Sequence, residues 1–442
     1  MGVILNKAVG IRVGLLAGGL LLITSGVAHA QAALEQSADI NPANLARFGG
    51  FARDRNVGVL ERPRPQYATE GLRVGAFQLL PAITGRIEYT DNLFAAANAA
   101  TSDTIYHIQP GALLQSNWSN HYLGIFANGH RRIHADHGSE DSTEWLIGVK
   151  GRLDIQRDAV AAGGASYEKL IEPRSSAGSP ANAAKPVAFN VAKANVGGVK
   201  TFNRLRLSGK VGLQDLKYKN VQALSGGDIY QKDRSNTQFL FTTRAEYAVR
   251  PSTSVFVELS ADKRNFRNPQ PGFTARDSSG YELTVGANFE YRLFRGEARV
   301  GHIQQSYEDT AFGDVSGLSI QGHVDYYITP LTTLSATTSR GVEDAAITGA
   351  GGYLQTTTGV RVDHELLRNL ILNAEVNYGD DDYQGIDRLD KETRLGAGAT
   401  YLLTRSVAVR ARIEHLKVES SGVQRRQPFD DNRGVISLYY QF

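Results

Sequence analysis

The side chains of this sequence that could do chemistry are arginines, lysines and glutamates spaced two residues apart, as in Arg410, Arg412 and Glu414. A spacing of two places such groups on one face of a β-strand. Fixed charges in a row can attract, orient or screen a polar solute, but no spacing suggests the convergent nucleophile and base of a hydrolytic enzyme. If these strands form a closed barrel, we expect the following side chains to line its lumen: Arg86, Glu88, Lys150, Arg152, Arg206, Lys210, Arg244, Glu246, Glu258, Glu282, Glu290, Arg292, Arg361, Glu375, Arg410, Arg412 and Glu414.

Two further groups could bind metal ions. His130, His134 and His137 follow one another closely, but positions four apart on a strand are separated by about 13 Å, too far to share one ion unless a loop folds back. The acidic residues within 380–390 could bind divalent cations, and a solvated acidic loop is the simpler alternative. The chain has no cysteine, which excludes thiolate ligands and thiol catalysis. We therefore predict neither a metal site nor a cofactor.

The segments that carry these charges alternate apolar and polar residues with period two. In residues 253–263, the alternation separates two faces, one with Val255, Val257, Leu259 and Ala261 and the other with Phe256, Glu258, Ser260 and Asp262. The same pattern occurs in residues 145–153, 205–213, 239–249, 281–293, 370–378 and 407–413. A helix would scatter each set around its axis, so the pattern predicts strands with one apolar face.

The connections between these segments alternate between tight turns and long polar loops. Tight turns are predicted near residues 119–120, 203, 294–295 and 404–405, among others. The count gives about 18 strands, an even number that returns both ends of the sheet to one side. A soluble β-sandwich is the alternative, but it has no need for such regular alternation. Since backbone groups in lipid cannot be left unpaired, we predict an all-β, transmembrane antiparallel β-barrel over residues 76–442, with short periplasmic turns and long outer loops.

Composition narrows the class further. The mean hydropathy of −0.28 is too low for a polytopic helical membrane protein. The 48 basic and 45 acidic residues leave a formal charge of only +3, which gives no case for nucleic acid as a partner.

Residues 1–30 have the layout of a secretory signal peptide. Lys7 and Arg12 precede a short apolar run, and Ala28 and Ala30 frame a small-residue cleavage site. A transmembrane anchor is the alternative, but the apolar run is too short for it. Residues 31–75 lack steady alternation and are predicted to be a periplasmic tail and linker. A mobile tail, a plug for the lumen and a partner-docking segment all remain open for this part.

The final strand ends on an aromatic residue. Ile436, Leu438, Tyr440 and Phe442 share one face. A terminal alternating strand of this kind resembles the signal by which outer-membrane assembly machinery recognises its clients. The predicted partners are therefore outer-membrane lipid and that machinery, and the predicted location is the outer membrane of a Gram-negative cell, with the N-terminal tail in the periplasm.

Four segments of the chain resemble the putative beta-barrel porin 2 family. They are residues 81–94, 313–319, 329–334 and 362–369, and the likeness extends over roughly residues 72–442. The resemblance implies an outer-membrane barrel. Because some relatives are linked to exopolysaccharide or capsule operons, it also implies a connection to polysaccharide-export components. The family defines no catalytic residues, so the resemblance assigns none.

The sequence thus predicts a porin-like protein that forms a water-filled pore and is not an enzyme. The charges expected on the inner face are nearly balanced, which predicts weak ion selectivity. A structural or docking protein with a blocked lumen is the alternative, and single-channel conductance separates the two.

Overall fold

The computed structural model describes residues 56–269, 274–347 and 349–442. The predicted signal peptide and cleavage site, and residues 31–55 of the predicted tail, lie outside these residues. No helix in the described part of the chain is long and apolar enough to cross a membrane.

Strands dominate the described chain. Apart from the short strands β1, β9 and β10, each is 13 to 16 residues long. This is slightly more than the 9–11 residues that cross the hydrocarbon of a bilayer when tilted. The strands are β1 (Leu72–Val74), β2 (Phe77–Thr90), β3 (Asp103–Ser116), β4 (Tyr122–His134), β5 (Ser142–Gln156), β6 (Ala159–Ile171), β7 (Ala188–Phe202), β8 (Leu205–Tyr218), β9 (Val221–Gln222), β10 (Asp228–Ile229), β11 (Asn236–Arg250), β12 (Thr253–Phe266), β13 (Ser278–Tyr291), β14 (Phe294–Tyr307), β15 (Val315–Thr329), β16 (Thr332–Asp344), β17 (Gly352–Leu367), β18 (Leu370–Tyr383), β19 (Leu389–Leu402), β20 (Val407–Ser421) and β21 (Phe429–Gln441).

The long strands close into a ring of 18. Each pairs antiparallel with its neighbours in sequence, and β8 pairs directly with β11 because β9 and β10 form a separate small hairpin. The ring closes where β2 pairs with both β3 and β21, so that Ile87 lies opposite Tyr106 on one side and Ile436 on the other. Closure leaves no long strand with an unpaired edge, as a sheet in lipid requires. The predicted all-β barrel with about 18 strands is confirmed.

The two faces of the ring differ in polarity. Outward-facing aliphatic side chains are exposed, as shown by Ile87 and by Ile413, whose side chain is 68% exposed. The polar side chains that alternate with them are buried, including Glu88 and Arg412. In a water-soluble protein this distribution would be inverted. It is the distribution expected of a barrel with lipid outside and polar groups inside.

Tight turns gather at one end of the barrel and long loops at the other, and we call these the tight-turn mouth and the long-loop mouth. The turns include residues 203–204, 251–252 and 292–293. Asn203 begins its turn with φ of 52°, in the left-handed region that two-residue hairpin turns require. The predicted alternation of short and long connections is therefore present around the ring.

Residues 56–75 precede the ring. They include a turn of 3₁₀ helix (Pro65–Tyr67) and β1, which folds back to pair with the start of β2. Phe77, the first residue of the ring, thus also pairs with Val74 in this small hairpin. This segment lies at the tight-turn mouth, where its contacts bear on function.

Candidate functional site

The inner face of the barrel carries the side chains that the alternation placed there. Arg292 excepted, each predicted lumen residue lies in a strand and alternates with outward-facing neighbours. These residues are Arg86, Glu88, Lys150, Arg152, Arg206, Lys210, Arg244, Glu246, Glu258, Glu282, Glu290, Arg361, Glu375, Arg410, Arg412 and Glu414.

Arg292 is not on this face. The register pairs Tyr291 with Phe294, so Arg292 and Leu293 form the two-residue turn between β13 and β14. Arg292 has φ of 52° and an exposed side chain that stacks on the Tyr291 ring. The turn was predicted two residues later, near Phe294, because alternation continues through Leu293. The strand therefore ends before Arg292, which does not reach the lumen.

One group of inner charges forms a continuous ion-pair network across β17, β18 and β20. Arg361 donates to Asp363 on its own strand and to Glu375 Oε2 at 3.1 Å on β18. Arg412 Nη2 donates to the other oxygen of Glu375 at 2.6 Å and to Glu414 at 3.0 Å. All five side chains are buried. Arg394 Nη1 on β19 also donates to Glu414 at 3.3 Å, so three guanidinium groups face three carboxylates.

A second network narrows the lumen near β11–β14. Arg244 Nε donates to Glu258 at 2.6 Å, and its Nη atoms reach over to Glu297 on β14 at 2.9 and 3.0 Å. The Arg244 guanidinium also stacks on the Phe256 ring at 3.8 Å. Arg299 pairs with the other oxygen of Glu258. A side chain that spans three strands on the concave face occupies space that solvent would otherwise fill.

The histidines do not form a metal centre. His130 Nε2 lies 2.9 Å from His107 Nδ1 with the rings stacked, and its Nδ1 lies 3.1 Å from Glu144 Oε2. His134 instead faces Asp141, and His137 faces Asp103. The three histidines thus have separate acidic partners, and among the described residues no group of three ligands could hold an ion. The spacing gave no sign of His107, because its pairing with His130 depends on the register between β3 and β4.

The long-loop mouth is crossed by the connection between β6 and β7, residues 172–187, which we call the crossing loop. Glu172, only 1% exposed, accepts from both Nη atoms of Arg234 at 2.7 and 2.9 Å. Arg426, in the loop before β21, donates to the Ser175 carbonyl at 2.9 Å. Burial lowers the pKa of Arg234, but Tyr218 and Glu172 act more strongly in the opposite direction and the net pKa is raised. Arg234 therefore remains charged.

The crossing loop reaches the far side of the mouth. A Cβ atom at Gly178 would lie 2.5 Å from the Cβ of Ala346, which belongs to the connection between β16 and β17. The backbone at Gly178 therefore approaches Ala346 too closely for any larger residue. The loop spans the mouth from one side of the ring to the other.

Residues 56–71, which we call the strap, lie within the tight-turn mouth along the ends of β13 to β21. The Asn56 backbone N–H donates to Glu290 Oε1 at 2.8 Å, at the end of β13. The Val59 N–H donates to Thr333 Oγ1 at 3.0 Å on β16, and the Val59 side chain is fully buried. The strap thus enters the barrel end rather than lying on its outer rim.

Ion pairs hold the middle of the strap. Arg295 of β14 donates to Glu61 Oε1 at 2.6 Å. Arg64 Nη2 donates to Glu365 Oε2 at 2.7 Å, and Arg62 reaches the other oxygen of Glu365 at 3.4 Å. Burial lowers the pKa of Arg64, with Glu365 acting in the opposite direction. Because a guanidinium has a pKa above 12 to begin with, Arg64 remains charged near neutral pH.

The end of the strap packs on the wall. Tyr67 covers an apolar cluster made of Leu402, Ala408 and Tyr439. From Glu290 to this cluster the strap passes from β13 round to β21. Within residues 56–71, Val59 and Arg64 are buried and Glu61, Arg62 and Arg64 form ion pairs with the barrel, whereas Val57 and Glu70 are exposed. Arg62 and Arg64 were visible in the sequence, but their partner Glu365 is some 300 residues away.

Comparison with known proteins gives the following similarities. The family described as Putative beta-barrel porin 2 matches residues 64–442. No curated protein matches the chain. Among solved structures, the outer membrane protein opdK from Pseudomonas aeruginosa is 13% identical, with 83% of this chain and 99% of that chain covered and a TM-score of 0.43.

Two other structures are similarly distant. A BenF-like porin from Pseudomonas fluorescens Pf-5 is 12% identical, with 82% of this chain and 99% of that chain covered and a TM-score of 0.46. OccAB3 from Acinetobacter baumannii is 12% identical, with 84% of this chain and 100% of that chain covered and the same TM-score. The family match is the informative one, since it extends over nearly all the described residues. With its closed ring of 18 strands, the chain belongs to the Putative beta-barrel porin 2 family of outer-membrane β-barrels, which are porins and not enzymes.

Proposed function

We propose that this barrel is an outer-membrane channel for small polar solutes, and that the strap gates it at the tight-turn mouth. The observation that carries the proposal is the strap itself. It is held inside the barrel end by hydrogen bonds and ion pairs, all of which can dissociate. A channel in which the strap leaves and returns would alternate between open and closed states.

The inner wall suits polar solutes of modest size. Barrels of 16 to 18 strands are wide enough for an aqueous path, and the polar inner side chains can be hydrated by it. Side chains such as Arg244, which reaches Glu297 three strands away, reduce that width. The residues predicted to line the lumen would form the wall of the path, with Arg292 excepted. Because acidic and basic groups are interspersed, we expect weak selectivity between simple cations and anions.

Polysaccharide export is not part of this proposal. A polymer needs a continuous open path through both mouths at once. Here the strap lies within one mouth and the crossing loop spans the other, so both would have to move together. The contacts in the barrel therefore favour small solutes over a secreted chain.

Orientation follows from the usual layout of outer-membrane barrels, in which tight turns face the periplasm. The strap would then close the periplasmic side. In the same arrangement, Ile436, Leu438, Tyr440 and Phe442, which are all exposed, would present the last strand to lipid and to the assembly machinery.

A disulfide can test the gate directly, because the chain has no cysteine of its own. A Cβ atom at Gly58 would lie 3.5 Å from Thr333 Oγ1, the position at which a cysteine carries its sulfur, so Gly58→Cys/Thr333→Cys is the pair to link by a disulfide. We expect the oxidised variant to lose single-channel current in a planar bilayer, and a reductant to restore it. The single variant Gly58→Cys, treated with the same oxidant, is the control and should conduct throughout.

Equal current in the oxidised and reduced double variant would show that the strap does not gate the channel. No current from any folded variant, including one that lacks residues 56–71, would instead favour a structural or docking protein with a blocked lumen.

A further inference from the structure

Two arginines on the inner wall have no acidic partner. Within the described ranges, Arg410 and Arg86 make no ion pair, although Arg86 does donate to the Gln109 amide oxygen at 3.3 Å. Arg410 is only 5% exposed, and its Nε and Nη2 atoms have no hydrogen-bond partner. Most other inner arginines pair with carboxylates. A charged group that is buried without a counter-charge is costly, so this arrangement calls for an anion.

The β-sheet register places the two arginines in one row. Arg410 on β20 lies opposite Thr400 on β19 and Ser437 on β21, and Ser437 lies opposite Arg86 on β2. Adjacent strands are about 4.8 Å apart, so the two arginines are roughly 10 Å apart at the backbone, with a serine between them. We call Thr400, Arg410, Ser437 and Arg86 the arginine row.

Hydroxyl and amide groups near Arg410 are also unsatisfied. Thr400 is fully buried and its Oγ1 has no partner. On the next strand, Asn373 lies on the inner face two residues beyond Ile371, the register partner of Thr400. Neither polar atom of the Asn373 side chain has a partner. Three neighbouring strands therefore present buried hydrogen-bonding groups that the protein itself does not use.

The carboxylates closest to the row are already engaged. Glu88, two residues from Arg86 on the same face, lies 3.3 Å from His107 and 3.5 Å from Arg433. Glu414 and Glu375 both accept from Arg412. The arginine row is therefore a local excess of positive charge on a wall whose other charges are largely paired.

The row also lies immediately behind the strap. Ala408, two residues before Arg410 on the same face, belongs to the cluster that Tyr67 covers. Tyr439 of that cluster is two residues from Ser437. A solute that entered from the long-loop mouth would meet the arginine row just before it reached the strap.

We propose that the arginine row is a binding site for an oxyanion carried by the solute, either a carboxylate or a phosphate or sulfate group. A guanidinium offers paired N–H donors that match two oxygens of such a group, and the Thr400 hydroxyl supplies a further donor. Asn373 can orient the remaining part of the solute, because its amide both donates and accepts. This inference rests on the proposed channel for its physiological meaning, but binding can be measured without transport.

The first experiment is an equilibrium titration. The purified, folded barrel in detergent is titrated calorimetrically with acetate, inorganic phosphate and sulfate in separate runs. We expect saturable binding of at least one of these anions, weakened about tenfold or more by Arg410→Gln, since a charge-assisted hydrogen bond is lost. Arg86→Gln should weaken binding by a smaller factor. Which anion binds most tightly distinguishes a carboxylate site from a phosphate or sulfate site.

The matched control is Arg152→Gln. Arg152 also lies on the inner face near the tight-turn mouth, but it pairs with Asp154 at 2.8 Å. This variant changes the net charge by the same amount, so it should alter anion affinity less than twofold. If Arg410→Gln and Arg152→Gln weaken anion binding equally, the effect comes from net charge alone and the proposed site is wrong. The absence of saturable binding in the wild-type barrel would also overturn it.

A second experiment separates this inference from the channel proposal. In a planar bilayer, the anion that binds most tightly should reduce the chloride current of the wild type in a saturable way, and should do so about tenfold less potently in Arg410→Gln. Saturable anion binding without any current would support the proposed binding site and contradict the proposed channel. A current that no anion reduces, together with no calorimetric binding, would contradict the proposed binding site and support the proposed channel.

Discussion

The crossing loop spans the long-loop mouth and the strap lies within the tight-turn mouth, and the two segments are held in different ways. The crossing loop is bounded by β6 and β7, and its Glu172 forms a buried ion pair with Arg234. The strap leads into the ring through β1 and β2 and lies against the turns through Glu61, Arg62 and Arg64. A loop that is bounded by two strands can deform but not leave, whereas the strap could swing away about its C-terminal end. In the proposed channel, the crossing loop would set the width of the path and the strap would open it.

The largest effect is expected at the crossing loop. Arg234→Ala would leave Glu172 buried without its partner, and breaking a buried pair in this way costs about 3–5 kcal/mol. We expect the free energy of unfolding of the barrel to fall by that amount, measured by urea titration of the detergent-folded protein. Adding Glu172→Ala should recover part of the loss, because the unpaired charge is removed. If Arg234→Ala unfolds like the wild type, the Arg234–Glu172 pair does not stabilise the crossing loop.

The strap should respond to loss of its main anchor without loss of the barrel. Glu365→Gln removes the charge that Arg62 and Arg64 share and should weaken strap docking by about 2 kcal/mol. In a Val59→Cys background, this would raise the rate of thiol labelling roughly tenfold or more. The unfolding midpoint in urea should stay close to that of the Val59→Cys parent. A large fall in that midpoint would mean that the strap is a structural part of the ring.

A smaller effect is expected from the apolar contact of the strap. Val59 is fully buried, and Val59→Ala removes two methyl groups from contact, which should cost about 1.5 kcal/mol of docking free energy. The thiol-labelling rate of Gly58→Cys, compared with and without Val59→Ala, measures this loss of docking free energy. Equal labelling rates would show that ion pairs alone hold the strap.

The smallest effect is expected at the exposed end of the strap. Glu70 pairs with Arg405 at 3.1 Å, but Glu70 is 85% exposed, so the pair is worth less than about 1 kcal/mol. Glu70→Gln should leave both labelling and conductance within twofold of the parent. It also serves as the charge-matched control for Glu365→Gln.

The ring itself could be predicted from sequence, because alternation depends only on local residues. Residues 253–263 were predicted as a strand, and the observed strand runs from Thr253 to Phe266. The error at Arg292 came from the same source, since alternation cannot show where a turn adopts left-handed backbone. The predicted faces were assigned strand by strand, so the misplaced turn affects Arg292 alone and not the face of Glu290.

The mouths could not be predicted in this way. The strap has no periodicity, and its contacts join residues some 300 positions apart, such as Arg64 and Glu365. The arginine row depends on the register of β19, β20, β21 and β2, which no single segment reveals. Charge spacing showed which side chains share a face, but it could not show which of them lack a partner.

The pairing of β2 with β21 has a consequence for how the protein is made. The Thr90 hydroxyl donates a hydrogen bond to Asp431 Oδ1 across this seam, although the two residues are 341 positions apart. Such a contact order makes closure the slowest and most entropically demanding step of folding. A chain that stops short of β21 would present two bare edges to its neighbours, and so invite aggregation rather than insertion. Synthesis must therefore finish before the cylinder can exist, and the loss of about a dozen C-terminal residues would cost far more than their own contacts suggest.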